Sequence, residues 1–283
     1  MKFDFQCLRV GALGLGMWLS ACQSEPVAPA SPASEHLTLG NPSGATADET
    51  RPANYLLSKP QFALGYHRDR GTPTWVSWHL STAWLGTAAR QDDFRPDADL
   101  PAGWYQVPTS GYTNSGFDRG HNCPSADRTR TVADNSVTFL LTNIMPQAPR
   151  LNQQSWAALE EYCRTLVRQN HELYIVCGSY GRGGTGANGF ATTLDQGRVT
   201  VPARCWKVVV VLPVGTNDAR RVSAGTRVIA IDAPNDNGIG GSWGQYRTSV
   251  DVIEAATGLD LLSAVAPAIQ QPLEAGIDAG PVN

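Results

Sequence analysis

Residues 116–129 read GFDRGHNCPSADRT. An acid, a base and a histidine surround one glycine, and Pro124 turns the chain directly afterwards. Only five histidines occur in 283 residues, so one in such company asks for a chemical reason. The four residues Asp118, Arg119, Gly120 and His121 are a modest signal alone, because a structural ion pair beside a histidine would account for them. The downstream sequence changes the reading. TNIMPQ (142–147) supplies Asn143 at the end of an apolar run, and LNQQSWAALEE (151–161) supplies Asn152 at a helix start with Glu160 further along it. The eight-residue step from one to the other makes two turns plus about 80°, which puts Asn152 and Glu160 on roughly the same side of the helix. A strand ending in His121, a loop and a helix with oxygen ligands would bring these groups to one cleft.

The surrounding sequence supplies an α+β frame. TWVSWHL (74–80) alternates, placing Val76, Trp78 and Leu80 on one strand face and His79 on the other, where it reads as a surface or internally satisfied histidine. VTFLLTNIM (137–145) is a short continuous apolar run that predicts a buried strand. ELYIVCG, WKVVVVLP and TRVIAIDAP predict three more. In SWAALEEYCRTLVRQ (155–169), Trp156, Leu159, Cys163, Leu166 and Val167 recur at helical spacing and form one apolar stripe. A last short helix is expected from Asp251, with Glu254 completing a capping box and Gly258 as the stop. Strands outnumber helices and do not alternate with them, which favours α+β over a doubly wound sheet.

The two ends read differently. Residues 1–22 hold Lys2 and Arg9, a charge-free stretch from Val10 to Ala21, and LSAC at the close. That stretch is too short to span a bilayer and suits a signal peptide. Ordinary cleavage after Ser20 or Ala21 is the alternative to lipid attachment at Cys22. Residues 23–53 are rich in Pro, Ala and Ser, lack aromatics, and are expected to form a disordered tether, with His36 solvated within it. The domain is expected over 54–265, and 266–283 as a fraying tail. Export leaves Cys123, Cys163, Cys177 and Cys205, as free thiols or in any of three pairings; no CxxC motif suggests structural zinc.

Charge argues against a polyanion partner at first. The net charge is −3, and removing Lys2, Arg9 and Asp4 takes 22 basic and 25 acidic residues to 20 and 24, or −4. Any nucleic-acid binding must therefore be local. Residues 116–150 do hold four arginines, 119, 128, 130 and 150, against three aspartates. GRGGTG (181–186) matches a dinucleotide fingerprint, but the following ANGFATTLDQG has turn formers and no amphipathic face, so a mobile glycine loop is expected.

These residues resemble the DNA/RNA non-specific endonuclease family, the ββα-metal nucleases that include mitochondrial endonuclease G. The likeness runs through NYLLSKPQFALGYHRDRGTPTWVSWHL, ARQDDFRPDADLPAGW, the DRGH segment, TNIMPQ, LNQQSWAALEEYCR and SVDVIEAATGLDLLS in family order. It implies a mostly antiparallel central sheet flanked by helices. It implies His121 as general base, and Asn152 as the protein ligand of one Mg²⁺ or Mn²⁺ ion, which Glu160 reaches through water. Asn143 and Asp118 would orient the site, and Arg119 and Arg90 would face the phosphate, with Arg128 and Arg150 as further substrate contacts. The resemblance also implies hydrolysis of single- and double-stranded DNA and RNA to 5′-phosphate ends. Some family members have inhibitor proteins. Cys22 in its LSAC context resembles the bacterial lipoprotein box, and Gln23 after it an outer-membrane or extracellular destination.

The chemistry fits those residue types. An imidazole near pKa 6.5 takes a proton from water at neutral pH. A hard cation that keeps most of its waters needs few protein ligands. Two rivals remain: an HNH-type zinc nuclease, disfavoured because Asn152 stands where that group places a histidine, and a non-catalytic nucleic-acid-binding surface lipoprotein.

Overall fold

The computed structural model describes Met1 and residues 34–282. The expected signal, Cys22 and residues 23–33 of the expected tether lie outside the rest of this range. Strands β1 (Tyr55–Ser58), β2 (Ala63–His67) and β3 (Thr72–Leu80) lead to a ribbon, β4 (Asp118–His121) and β5 (Ile144–Gln147), with helix α1 (Val132–Val137) between its strands. Helix α2 (Ala157–Arg168) precedes β6 (His171–Tyr180), the hairpin β7 (Gly184–Gly186) and β8 (Gly189–Ala191), and the small pair β9 (Thr193–Leu194) and β10 (Val199–Thr200). The chain ends with β11 (Arg204–Pro213), α3 (Asp218–Arg221), β12 (Arg227–Pro234), β13 (Arg247–Thr248), α4 (Val250–Thr257) and α5 (Pro267–Ala275).

Seven strands form one antiparallel sheet in the order β1-β2-β3-β6-β11-β12-β13. The valine-rich β11 occupies an interior position, where β-branched side chains meet neighbours on both faces. Alternation divides the core in two. Val76, Trp78, Ile175, Cys177, Val209 and Ile231 face α2 and the β4–β5 ribbon. Trp75, Tyr174, Val176, Trp206, Val208 and Val210 face the other way, toward residues of α4, α5 and the segment after Ser34. A third, smaller cluster joins Val107, Tyr112 and Phe117 to Ile144 of β5 and Val199 of β10.

Four expectations are corrected. Residues 34–53 are not a tether: Leu39 and Ala45 are buried against the second face, and His36 is 2% exposed. A docking segment adds a few apolar residues to a core owned by distant strands, so its own composition looks disordered. Residues 266–282 do not fray, because Leu273 of α5 is buried and Asp278 pairs with Arg227 at 2.8 Å and Arg247 at 2.9 Å. Val137–Met145 is not one strand: the run closes α1, makes a helical turn at Leu141–Asn143 and enters β5 only at Ile144. Apolar continuity reports burial and is compatible with either structure. The GRGGTG segment is an ordered hairpin, tied through the Ala187 N–H to the Gly116 carbonyl. Helix α4 is capped two residues earlier than expected, by Ser249, and stops as expected at Gly258 in the left-handed region. Among the described residues, Cys123, Cys163, Cys177 and Cys205 are buried free thiols.

Candidate active site

The DRGH residues form β4, paired antiparallel with β5 so that His121 lies opposite Ile144 and Asp118 opposite Gln147. Gly120 is needed because a Cβ there would sit 2.3 Å from the Gln147 side chain. Strand alternation sends Arg119 and His121 to the same side. An aromatic seat receives them. The His121 ring meets Phe139 edge-on at 4.9 Å and tilts against Phe94 at 5.4 Å. The Arg119 guanidinium lies 5.1 Å from the Phe94 ring centre, and that of Arg90 lies 4.8 Å from Phe139.

His121 is only 8% exposed, and its Nε2 is buried without a hydrogen-bond partner. Burial first, then the positive charge of Arg90, pushes its pKa down to about 3, with the Arg119 backbone carbonyl opposing. The resting imidazole is neutral, with a bare nitrogen beside two guanidiniums. Arg119 donates to the Thr109 carbonyl at 2.9 Å while its Nε is buried and unpaired. Arg90 is more exposed and donates to Ser125 Oγ at 3.0 Å.

Asn143 is buried and fully committed. Its Nδ2 donates to the Cys123 and Thr138 carbonyls, and its Oδ1 accepts from the Cys123 N–H. Sealed from solvent, it locks the turn that follows His121. Asn152 lies in a π-helical turn, Leu151–Trp156, that opens α2. Such turns recur at functional sites because they re-aim a side chain without breaking the helix. Asn152 Nδ2 donates to Asp118 Oδ2 at 2.8 Å, and Gln153 Nε2 donates to the same oxygen at 2.9 Å. A carboxylate only accepts, so the Asn152 amide nitrogen must face Asp118 and its Oδ1 must face away. That orients a neutral oxygen donor suited to a hydrated hard cation. Asp118 is three residues from His121, about 10 Å of strand, so the carboxamide and the imidazole belong to opposite ends of one ribbon.

Glu160 lies within the apolar stripe of α2 and pairs with Lys207 Nζ at 3.4 Å. Burial lifts the Glu160 carboxyl above its usual range, with Lys207 opposing. Lys207 is 1% exposed and lies 4.2 Å from the Trp156 ring centre. Removing one member of such a pair costs roughly 3–5 kcal/mol, since the other remains buried and charged. Sequence reading missed Lys207. The signal was a lone lysine inside WKVVVVLP, which has no place in an apolar strand without an acid opposite. It also missed Phe94, Phe139 and Gln153.

Arg128 is corrected. It is fully buried, donates to the Gln61, Asp127 and His79 carbonyls, and lies 4.3 Å from the Trp84 ring centre, so it holds the fold and cannot contact substrate. Arg150 is exposed two residues before Asn152, its guanidinium beside Gly240. Among the described residues, acid and histidine groupings close enough for a metal occur at His79–Glu172–Asp218 and Asp251–Glu254–Glu274, and neither includes a ribbon residue. A site built on one carboxamide needs no such grouping.

The family model for DNA/RNA non-specific endonucleases matches residues 40–268. The chain belongs to that family. It is 48% identical to a nuclease of Nostoc sp. over 96% of this chain and 98% of that protein. It is 31% identical to human mitochondrial endonuclease G over 72% of this chain and 68% of that protein. The solved structure of endonuclease G in complex with EndoGI superposes with a TM-score of 0.67, at 21% identity, covering 85% of this chain and 95% of that one. Endonuclease-family membership makes the chain a metal-dependent hydrolase of the phosphodiester type, and its ββα-metal fold is that of endonuclease G.

Proposed function

We propose that this nuclease cuts single- and double-stranded DNA and RNA without sequence preference, and that His121 is the base that takes the proton from the attacking water. The observation that carries this is the bare, buried Nε2 of a neutral imidazole flanked by Arg119 and Arg90. A phosphodiester entering that niche brings negative charge that offsets Arg90, raising the base toward its working range. Arg119 and Arg90 bind the phosphate and meet the charge that develops on its oxygens. Asp118 orients Asn152, and Asn152 Oδ1 would hold one Mg²⁺ or Mn²⁺ ion; Glu160 would order its hydration. When bound, that ion supplies Lewis-acid stabilisation of the phosphorane and the leaving 3′-oxygen. The products are 5′-phosphorylated. Phosphate contacts carry affinity without sequence information, which suits an acidic protein with a small cationic cleft.

We also place the protein outside the cytoplasm, tethered through a lipid on Cys22, on the strength of the LSAC ending and the short apolar stretch before it. The fold likeness to a nuclease solved with EndoGI makes an inhibitor protein a further candidate partner. The test uses supercoiled plasmid, single-stranded DNA and RNA with Mg²⁺. All three are degraded, EDTA stops the reaction, and added Mg²⁺ restores it. Cleavage that persists in EDTA, or one dominant cut site, overturns the reading.

A further inference from the structure

A pocket of about 490 Å³ lies beside the turn after β2 and is lined by Arg68, Asp69, Trp104, Tyr105 and Arg198. Its chemistry is that of a nucleotide site: two indole or phenol rings, each with a guanidinium over it. Arg198 lies 4.3 Å from the Tyr105 ring centre, and Arg68 lies 5.6 Å from that of Trp104. Bases stack on aromatic rings and on guanidinium groups, and phosphates pair with the latter. The volume falls in the range of small-ligand pockets. The two nearby acids are already engaged. Asp69 holds Arg68 at 2.8 Å, and Asp195 accepts the Tyr105 hydroxyl. Arg198 is exposed and has no carboxylate partner among the described residues. Its guanidinium is therefore free to meet a phosphate while it lies over the Tyr105 ring.

The pocket is rigidly indexed to the catalytic ribbon. Val199, next to Arg198, and Val107, two residues after Tyr105, pack in one small core with Ile144, which lies opposite His121 in the ribbon. From the other side, Arg119 donates to the Thr109 carbonyl, and Thr109 begins the turn Thr109–Tyr112 that abuts Asp195 at Gly111. A continuous path therefore runs from the phosphate-facing Arg119, past Thr109 and Asp195, to Arg198. Tyr105 and Thr109 are four residues apart, so no more than about 14 Å of chain separates them.

We infer that this pocket is an outlying subsite that takes a nucleotide of the substrate strand several positions from the scissile phosphate, with Arg198 and Tyr105 as its principal contacts. The inference rests on the proposed nuclease reading. An unselective nuclease with a small catalytic niche gains strand affinity this way without reading bases. The subsite favours single-stranded nucleic acid, whose unpaired bases are free to stack.

The experiment compares wild type, Arg198→Glu and Tyr105→Ala on a long single-stranded oligonucleotide and on a dinucleotide-length substrate that ends before the pocket. Arg220→Glu, an exposed arginine of α3, is the charge-matched control. The ratio of KM for the long substrate to KM for the short one rises about five- to tenfold in both pocket variants and stays at the wild-type value in the control. Arg198→Glu also lowers the salt dependence of oligonucleotide binding by about one counterion. An unchanged ratio in both pocket variants overturns the subsite while leaving the nuclease reading intact. Absence of cleavage by wild type on any substrate overturns the nuclease reading itself. If Tyr105→Ala unfolds, the surface variant Arg198→Glu decides alone.

Discussion

His36, in the segment after Ser34, and His121, in the β4–β5 ribbon, are both buried and both have pKa values lowered chiefly by burial, to about 4 and about 3. Their hydrogen bonds set them apart. His36 Nδ1 accepts from the His79 backbone N–H at 3.2 Å, so the ring's proton must be on Nε2, which donates to the Pro60 carbonyl at 2.8 Å. Both ring nitrogens are used, and the residue pins the segment after Ser34 to β3. His121 leaves Nε2 buried and bare beside arginines. A buried polar atom without a partner costs free energy, and beside two guanidiniums an entering anion would offset part of that cost. What separates His121 from His36 is thus an uncommitted ring nitrogen beside Arg119 and Arg90, not the pKa.

The largest effect that tests this contrast is on rate. His121→Ala loses at least ~10²-fold in kcat with its cooperative unfolding retained. Full activity in that variant removes the base assignment and leaves His121 as packing. The next effect is on stability. His36 binds its proton at about 4 when folded and near 6.5 when unfolded, so the unfolded chain takes up protons first as pH falls. The stability His36 contributes is complete above pH ~6.5 and falls through the window down to about 4, by up to about 3 kcal/mol. His36→Gln flattens that part of a urea-unfolding stability profile, whereas parallel profiles for variant and wild type would show that the ring titrates normally. His121 adds to the wild-type slope with the same sign. The smallest effect concerns the ribbon's other end. Asp118→Asn offers Asn152 an amide in place of an obligate acceptor, so the Asn152 carboxamide is no longer forced to one orientation. The Mg²⁺ concentration for half-maximal rate rises roughly 10- to 100-fold. An unchanged requirement would mean that Asp118 does not orient the ligand.

How much was legible depends on how local each cause is. The alternation in β3 and the stripe of α2 follow from periodicities of two and 3.6 residues, which neighbouring side chains display whatever the rest of the chain does. The DRGH segment, Asn143, Asn152 and Glu160 stood out as residue types at particular spacings, and the structure brings His121, Arg119 and Arg90 to one aromatic seat and Asn152 to Asp118. Arg128 looked the same in sequence as its neighbours Arg119 and Arg130, yet it is sealed under carbonyls from Gln61 and His79. The 137–145 run misled because Leu and Phe are buried equally well by a turn of helix and by a strand.

The sequence by itself determined the central strands β3, β6, β11 and β12, helix α2 and the chemistry-bearing DRGH segment, because all are written in spacings of a few residues. Only the tertiary structure decided that Ser34–Ala53 and Pro267–Val282 belong to the folded body, that Lys207 answers Glu160, and that Arg128 is interior. Those outcomes depend on partners tens of residues away. A polar or weakly apolar segment becomes structural only when another part of the chain supplies the surface that buries it.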